Sequence, residues 1–374
     1  YRKLQQPFRV SSSQERLRLS HDPRITSMNI SIAMATYNSE RFLQEQLDSL
    51  AWQTHLPGEL VVGDDGSTDG TMDTLERFAK MAPFPVRIHR NSVNLGVSDN
   101  FLVTANRCSG DWIAFCDHDD VWLPKKLERA AAVGKSRPNV DLIIVENIWT
   151  DESLVPNRRR RPSRMVSLSG RAWMPRSSPL FVHEGHKMVV RRYLVGLPWQ
   201  TRPLRHGQKM AHDTYIGLLG YLMRRRVFLN ERLVRHRRHN EAASLVHDGA
   251  LAPRFFPEWD SAEHSKCFFE EQREFWAAMA RWCQEASLLV EPNICDRLRR
   301  AAQNAEVVGR WCEMRERIYS RDASRWARIS ALAEIAARGG YLKGFGLPPL
   351  AKDLFQSLVG SRWKRTPEVP DCFQ

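Results

Sequence analysis

From Asn29 to about Val145, short apolar runs alternate with segments whose apolar residues recur every three or four positions. The runs Ile30 to Ala35, Leu60 to Gly63, Val86 to His89, Trp112 to Cys116 and Leu142 to Val145 predict strands. The segments Ser39 to Trp52, Asp69 to Lys80, Ser98 to Arg107 and Pro124 to Val133 predict helices. In the first of these helices Phe42, Leu43, Leu47 and Leu50 share a face, and Ser39 stands where an N-cap is expected. Asp69 is placed to cap the second helix, and Pro124 suits a first turn. Such alternation implies an α/β fold whose sheet is largely parallel and covered on both faces. Ligands on sheets of that kind bind beyond the carboxyl ends of the strands.

The periodicity then changes. Asp151 to Pro179 is rich in arginine, serine and proline and reads as a long loop. Phe181 to Ser244 carries short strands and one helix, Asp213 to Met223. From about Pro257 the pattern is helical: Ile294, Leu298, Ala301, Ala305 and Val308 form one stripe. Trp326, Ile329, Leu332 and Ile335 form another, ended by Gly339–Gly340. Residues 1–27 are polar and basic, without the apolar stretch of a secretory signal, and are set aside as a tail or remnant. The expected division is a tail at 1–27, a sheet-based domain at 28–250 and a helical region at 251–374.

Composition adds three constraints. Hydrophobic residues at 42% and charged residues at 26% are ordinary globular usage. The seven cysteines are odd in number and lack CxxC spacing, which favours free thiols in a reducing cytoplasm over disulfides or a zinc site. The net charge of +13, with clusters at Arg158–Arg161, Arg224–Arg226 and Arg235–Arg238, points to acidic partners without choosing among nucleic acid, anionic lipid and phosphorylated small molecules.

Candidate chemistry follows the predicted strands. After them come Ala35-Thr36-Tyr37-Asn38, then Asp64-Asp65-Gly66-Ser67-Thr68-Asp69-Gly70-Thr71, then Asn94-Leu95-Gly96, then Asp117-His118-Asp119-Asp120-Val121-Trp122. Three carboxylates within four residues repel one another unless a cation or an arginine lies among them. Alternate residues Asp117 and Asp119 can aim at one pocket, and hard oxygen donors suit Mg²⁺ or Mn²⁺ together with phosphate oxygens. Read singly, each segment also has a purely structural use as a turn or a helix cap.

In combination, order and spacing these segments resemble the family 2 glycosyltransferases of GT-A fold. The resemblance covers about residues 29–245. Gly185-His186-Lys187-Met188 with Arg191-Arg192 extends it toward bacterial rhamnosyltransferase-like enzymes of polysaccharide synthesis. It implies a mixed, mostly parallel sheet flanked by helices, with a C-terminal helical extension. It also implies an inverting, metal-dependent transfer of a sugar, rhamnose among the candidates, from a UDP- or dTDP-linked donor to a saccharide or lipid-linked saccharide acceptor. Carried over residue by residue, Ala35, Thr36, Tyr37, Asp65, Asn94, Gly96, Asp117 and His118 bind the nucleotide sugar. Asp117, Asp119 and His239 hold Mg²⁺ or Mn²⁺. Asp213, after His212, is the general base. Trp122, His186, His212 and Arg238 touch acceptor or diphosphate. Thr214-Tyr215 stands where such relatives often carry an aromatic pair, a departure that bears on sugar and acceptor preference.

Two rival readings fit the sequence less well. A dinucleotide-binding dehydrogenase would need Gly-x-Gly-x-x-Gly after the first strand, and the one Gly-x-Gly, Gly344 and Gly346, lies in the helical tail. A non-enzymatic nucleic-acid or anionic-ligand binder suits the charge but shows no reading motif and leaves Asp117–Asp120 unexplained; no nucleic acid is expected as a partner. No apolar run reaches the roughly 18 residues of a membrane span. The expected location is cytoplasmic, peripheral at the inner face of the cell membrane, with an anionic lipid surface and a second copy of the chain, through the C-terminal helices, as further candidate partners.

Overall fold

The computed structural model describes residues 28–157, 184–205, 207–239, 262–320 and 322–338, with 350, 353–354 and 356–358. The expected tail at 1–27, most of the 151–179 loop, Asn240 to Ser244, Gly339–Gly340 and the Gly344/Gly346 pair lie outside the described residues. The elements in chain order are β1 (Ile30–Thr36), α1 (Glu40–Ala51), β2 (Glu59–Asp64), α2 (Thr71–Met81), β3 (Val86–Arg90), α3 (Val97–Asn106), β4 (Trp112–Cys116), β5 (Val121–Trp122), α4 (Lys126–Ser136) and β6 (Leu142–Thr150). Then come β7 (Met188–Arg191), α5 (Arg192–Val195), β8 (Leu204–Arg205), β9 (Gln208–Lys209), α6 (His212–Leu222) and β10 (Arg226–Arg237). Three long helices follow: α7 (Ala262–Ser287), α8 (Pro292–Tyr319) and α9 (Arg325–Ala337).

Eight strands make one mixed, mostly parallel sheet in the order β3-β2-β1-β4-β7-β6-β10-β5. β1 pairs in parallel with both β2 and β4, so the strand order reverses there and a crevice opens beyond their carboxyl ends. β7 runs antiparallel between β4 and β6, and the two-residue β5 closes antiparallel on the far edge of β10. β8 and β9 form a separate small ribbon.

The sheet divides two cores. On one face Ile30, Ile32, Met34 and Val62 pack against Leu43, Leu47 and Leu50 of α1, Leu75 and Phe78 of α2 and Leu127 of α4. On the other, Ala33, Val61, Ile113 and Phe115 pack against α3, α5 and α6, and the same cluster continues into Trp276 and Trp282 of α7, Leu298 and Val308 of α8 and Ile335 of α9. Edge-on packing of Tyr215 against Trp282, the Asn304 amide donating to the Leu222 carbonyl and Arg297 beside Asp141 fasten the helical region to the sheet. The cysteines described, Cys108, Cys116, Cys283, Cys295 and Cys312, are free thiols.

Several local expectations are corrected. Ser39 occupies the N-cap position of α1, but its hydroxyl accepts from the Tyr37 N–H; Asp69 accepts from the Glu40 N–H instead. Pro124 precedes Lys125, the N-cap of α4, rather than entering the first turn. β6 runs five residues past Val145, because its polar end reaches out of the core to the site described below. Trp326 is 80% exposed, and the buried stripe of α9 is Arg328, Ala331, Leu332 and Ile335.

Candidate active site

The carboxyl ends of β1, β2 and β4 meet beside the crevice. Asp64, wholly buried, accepts from the Gly66 and Ser67 N–H groups and from the Thr36 and Ser67 hydroxyls, which fixes the turn after β2. That turn needs φ of +91° at residue 66, a value glycine adopts without strain. Asp65 then reaches sideways. Its carboxylate accepts from the Leu95 and Gly96 N–H groups at 3.0 and 2.8 Å and from the Asn91 amide at 2.9 Å, and the Asn94 amide donates to its carbonyl. The Asn94–Gly96 loop is thereby tied to the end of β2. Ala35 and Thr36 are buried at the end of β1, while Tyr37 is 53% exposed and free to cover a ligand.

The acidic turn after β4 is countered from the end of β10. Asp119 accepts from His239 Nε2 at 2.9 Å. Burial would raise its pKa, but that hydrogen bond and the surrounding histidines hold it well below the usual carboxylate range. Asp120, wholly buried, accepts from His236 Nδ1 at 3.0 Å and from the Arg237 N–H at 3.1 Å. Arg237 also donates to the Asp119 carbonyl and pairs with Glu45 of α1. Asp117 keeps a side chain 31% exposed and faces the crevice, with His186 Nδ1 at 3.3 Å behind it. Desolvation and the Asp119 charge push Asp117 above the ordinary carboxylate range. His118 is half-buried beside it.

The start of α6 lies near this turn, where the Asp117 charge acts on both His212 and Asp213. Its N-cap is Ala211, so Asp213 sits inside the first turn and does not cap the helix from outside, as an opening residue would. Asp213 accepts from the Thr214 N–H and hydroxyl. A helix N-terminus favours an ionised carboxylate, yet burial outweighs it here and lifts the Asp213 pKa to about 6, with Glu184 and Asp117 adding repulsion. His212 stacks on Phe101 at 4.3 Å and meets the edge of Phe115. Burial pushes its imidazole down to about 4, so it is neutral near pH 7. A Cβ at Gly185 would lie 2.3 Å from His212 Nε2; the glycine is what lets the turn before β7 approach α6.

The structure therefore brings Asp117, His118, Asp119 and His239 together, sets Asp213 near enough for the Asp117 charge to act on it, and links Asp65 to Asn94 and Gly96. Three of the residues expected to touch acceptor or diphosphate are buried. Trp122 is 2% exposed in the core, with Lys126 Nζ 3.3 Å from its ring centroid. His186 is wholly buried, and His212 is held in its aromatic slot. Arg238 is half-buried over Trp149. Asp120, His236 and Arg237 join this cluster beyond the expected site residues. Their signal was the adjacency of Asp120 to the acidic pair and the strand alternation that puts His236 and Arg237 on opposite faces of β10.

Residues 31–195 match the sequence profile described as Glycosyl transferase family 2. The chain carries a glycosyl transferase family 2 domain. Over 106 residues it is 36% identical to an uncharacterized glycosyltransferase of Nostoc sp., covering 28% of this chain and 33% of that protein. Over 95 residues it is 37% identical to the abequosyltransferase RfbV of Salmonella typhimurium, covering 25% of this chain and 28% of that one. The chain thus spans a third or less of the length of these two relatives. The crystal structure of S. aureus TarS 1-349 in complex with UDP-GlcNAc superposes with a TM-score of 0.50 at 17% identity, covering 88% of this chain and 89% of that one, so the fold of the family 2 domain here is GT-A.

The close approach at Gly185 yields a prediction. Gly185→Ala must displace the His212 ring and with it the first turn of α6. We expect the unfolding free energy measured by chemical denaturation to fall by about 1–3 kcal/mol from overpacking. A variant as stable as the parent would mean that the two segments are not in contact.

Proposed function

We propose that this chain is a metal-assisted, inverting glycosyltransferase that moves a sugar from a nucleoside diphosphate donor to an acceptor hydroxyl. The observation that carries this reading is the pairing of an acidic pair, Asp117 and Asp119, with a half-buried carboxylate, Asp213, that senses the Asp117 charge and has its pKa lifted to about 6. A carboxylate poised so close to neutrality suits a general base.

In this reading Tyr37 and the end of β1 cover the base and ribose, and Asp65 orders the Asn94–Gly96 loop against them. Asp117, Asp119 and His239 would hold Mg²⁺ or Mn²⁺; two carboxylates and one imidazole suit such an ion. When bound, the cation offsets charge on the leaving diphosphate. Asp213 takes the proton of the acceptor hydroxyl as its oxygen attacks the anomeric carbon from the face opposite the diphosphate, so configuration inverts. Neutral His212 and Gly185 hold the start of α6 and keep Asp213 in place. TarS, of the same fold, was solved with UDP-GlcNAc, in keeping with a UDP- or dTDP-linked donor. The abequosyltransferase and the rhamnosyltransferase-like motif favour a deoxyhexose, rhamnose among them, and a saccharide or lipid-linked saccharide acceptor in bacterial surface polysaccharide synthesis.

The anionic-ligand rival loses part of its surface. Arg225 pairs with Asp141, Arg226 is buried over Tyr221 and Arg237 is buried in the acidic turn, so two of the three arginine clusters are partly spent inside the fold. Arg158–Arg161 lies outside the described residues. No helix among the described residues is long and apolar enough to cross a membrane. With a net charge of +13, peripheral attachment at the inner face of the cell membrane remains part of the proposal. The chain should co-sediment with anionic vesicles at low salt and be released by high salt; equal retention on neutral vesicles would contradict it.

Asp213→Asn tests the base. Asparagine keeps the shape and the contact to Thr214 but cannot take a proton. Donor affinity should persist while transfer falls by about 10²-fold or more. For the parent chain, kcat/KM should drop about tenfold per pH unit below about 6, as the base becomes protonated, and the variant should lack that acid limb. Because burial raises this pKa, the ionised form weighs against folding above pH 6, so the variant's melting temperature at pH 8 should be unchanged or higher. Near-normal transfer would remove Asp213 from the chemistry.

A further inference from the structure

The transfer reaction leaves a second buried constellation without a task. Asp120 comes from the turn between β4 and β5, His186 from the turn entering β7, and His236 from the end of β10. Among the described residues, one donor atom from each of these three lies within 4.8 Å of the others. The two imidazoles stack at 4.4 Å and 13°. Both Nδ1 atoms approach the same carboxylate: His236 lies 3.0 Å from Asp120 Oδ1 and His186 lies 3.6 Å from Asp120 Oδ2. Hydrogen bonding does not use up this set. Asp120 Oδ2 and His186 Nδ1 are buried and make no hydrogen bond, while His236 Nδ1 is bonded to the other oxygen of Asp120. Buried polar atoms of this kind ordinarily have a partner.

We propose that Asp120, His186 and His236 form a structural site for a divalent transition-metal ion, separate from the cation assigned to Asp117, Asp119 and His239. Donors around a tetrahedral ion bound at about 2.0–2.1 Å stand about 3.3 Å apart; one donor atom from each of the three residues lies within 4.8 Å of the others, so small side-chain movements would close the set on an ion. Two imidazoles with one carboxylate select an ion of the zinc, cobalt or manganese class over Mg²⁺ or Ca²⁺. The Asn147 amide stands 3.3 Å from His186 Nε2. With its oxygen toward the ring, Asn147 accepts the Nε2 proton and leaves Nδ1 as the ligating nitrogen, the usual outer support of a metal-bound histidine. Binding displaces the proton shared between His236 Nδ1 and Asp120 and releases it to solvent. The ion then ties β10, the entry to β7 and the acidic turn together directly beneath Asp117. The site does not require the transfer reaction to be as proposed above.

The test uses chelator-treated full-length protein titrated with Co²⁺, read by visible absorption and by metal content after equilibrium dialysis, with Zn²⁺ as competitor. Asp119→Ala/His239→Ala removes two donors of the diphosphate-side cation. That double variant should still hold one Co²⁺ per chain, displaceable by Zn²⁺. Adding His236→Gln should abolish the binding; if that variant does not fold, judged by circular dichroism, Asp120→Asn takes its place with the same expected loss. Absence of bound Co²⁺ in the double variant would overturn the site, as would binding undiminished by His236→Gln or Asp120→Asn. A single Co²⁺ in the parent chain that vanishes in the double variant would overturn the second site while upholding the first.

Discussion

Three of the four residues from Asp117 to Asp120 are aspartates, just past a strand whose five residues are all buried. Left alone, such a turn would spread apart or take up protons. It is held by groups brought from far along the chain: His236, Arg237 and His239 from the end of β10, and His186 from the entry to β7. This requirement shapes the second half of the domain. β10 runs 12 residues, with irregular register against β6 around Arg232, and so carries its basic end past the core to the turn. β5 closes on it antiparallel, which holds the turn between two strands.

The same logic governs the other rim of the crevice. Asp64 and Asp65 stand side by side but do different work. The first fixes its own turn through Gly66 and Ser67. The second captures the Asn94–Gly96 loop. Asp213 is tuned in the opposite sense to Asp119: burial without a cationic partner lifts its pKa, whereas the His239 contact holds Asp119 down. Carboxylates driven apart in this way can divide the labour, one holding charge and one moving a proton.

The sheet, its first five predicted strands and the order of the motifs were legible in the sequence, because parallel strands buried on both faces leave continuous apolar runs. The later part was less so. The two residues of β5 and the four of β7 owe their strand character to distant partners, which no local window contains. Trp122 looked available for a ligand because its place in the motif follows the acidic residues; burial under Lys126 is a fact of tertiary packing. His212 was legible as part of a motif but not as a ring wedged against Phe101 with Gly185 making room. The raised pKa of Asp213 comes from burial, which no local stretch of sequence reveals.

In the proposed reaction a sugar leaves its diphosphate carrier with inversion at the anomeric carbon, driven by one base and no covalent intermediate. It is tested most directly by incubating the full chain with Mn²⁺ and a panel of nucleoside diphosphate sugars and following the anomeric protons by NMR. With water standing in for the acceptor, the first-formed sugar should have the anomeric configuration opposite to that of the donor, before mutarotation sets in. A first product of retained configuration, or no turnover of any donor, would contradict the account.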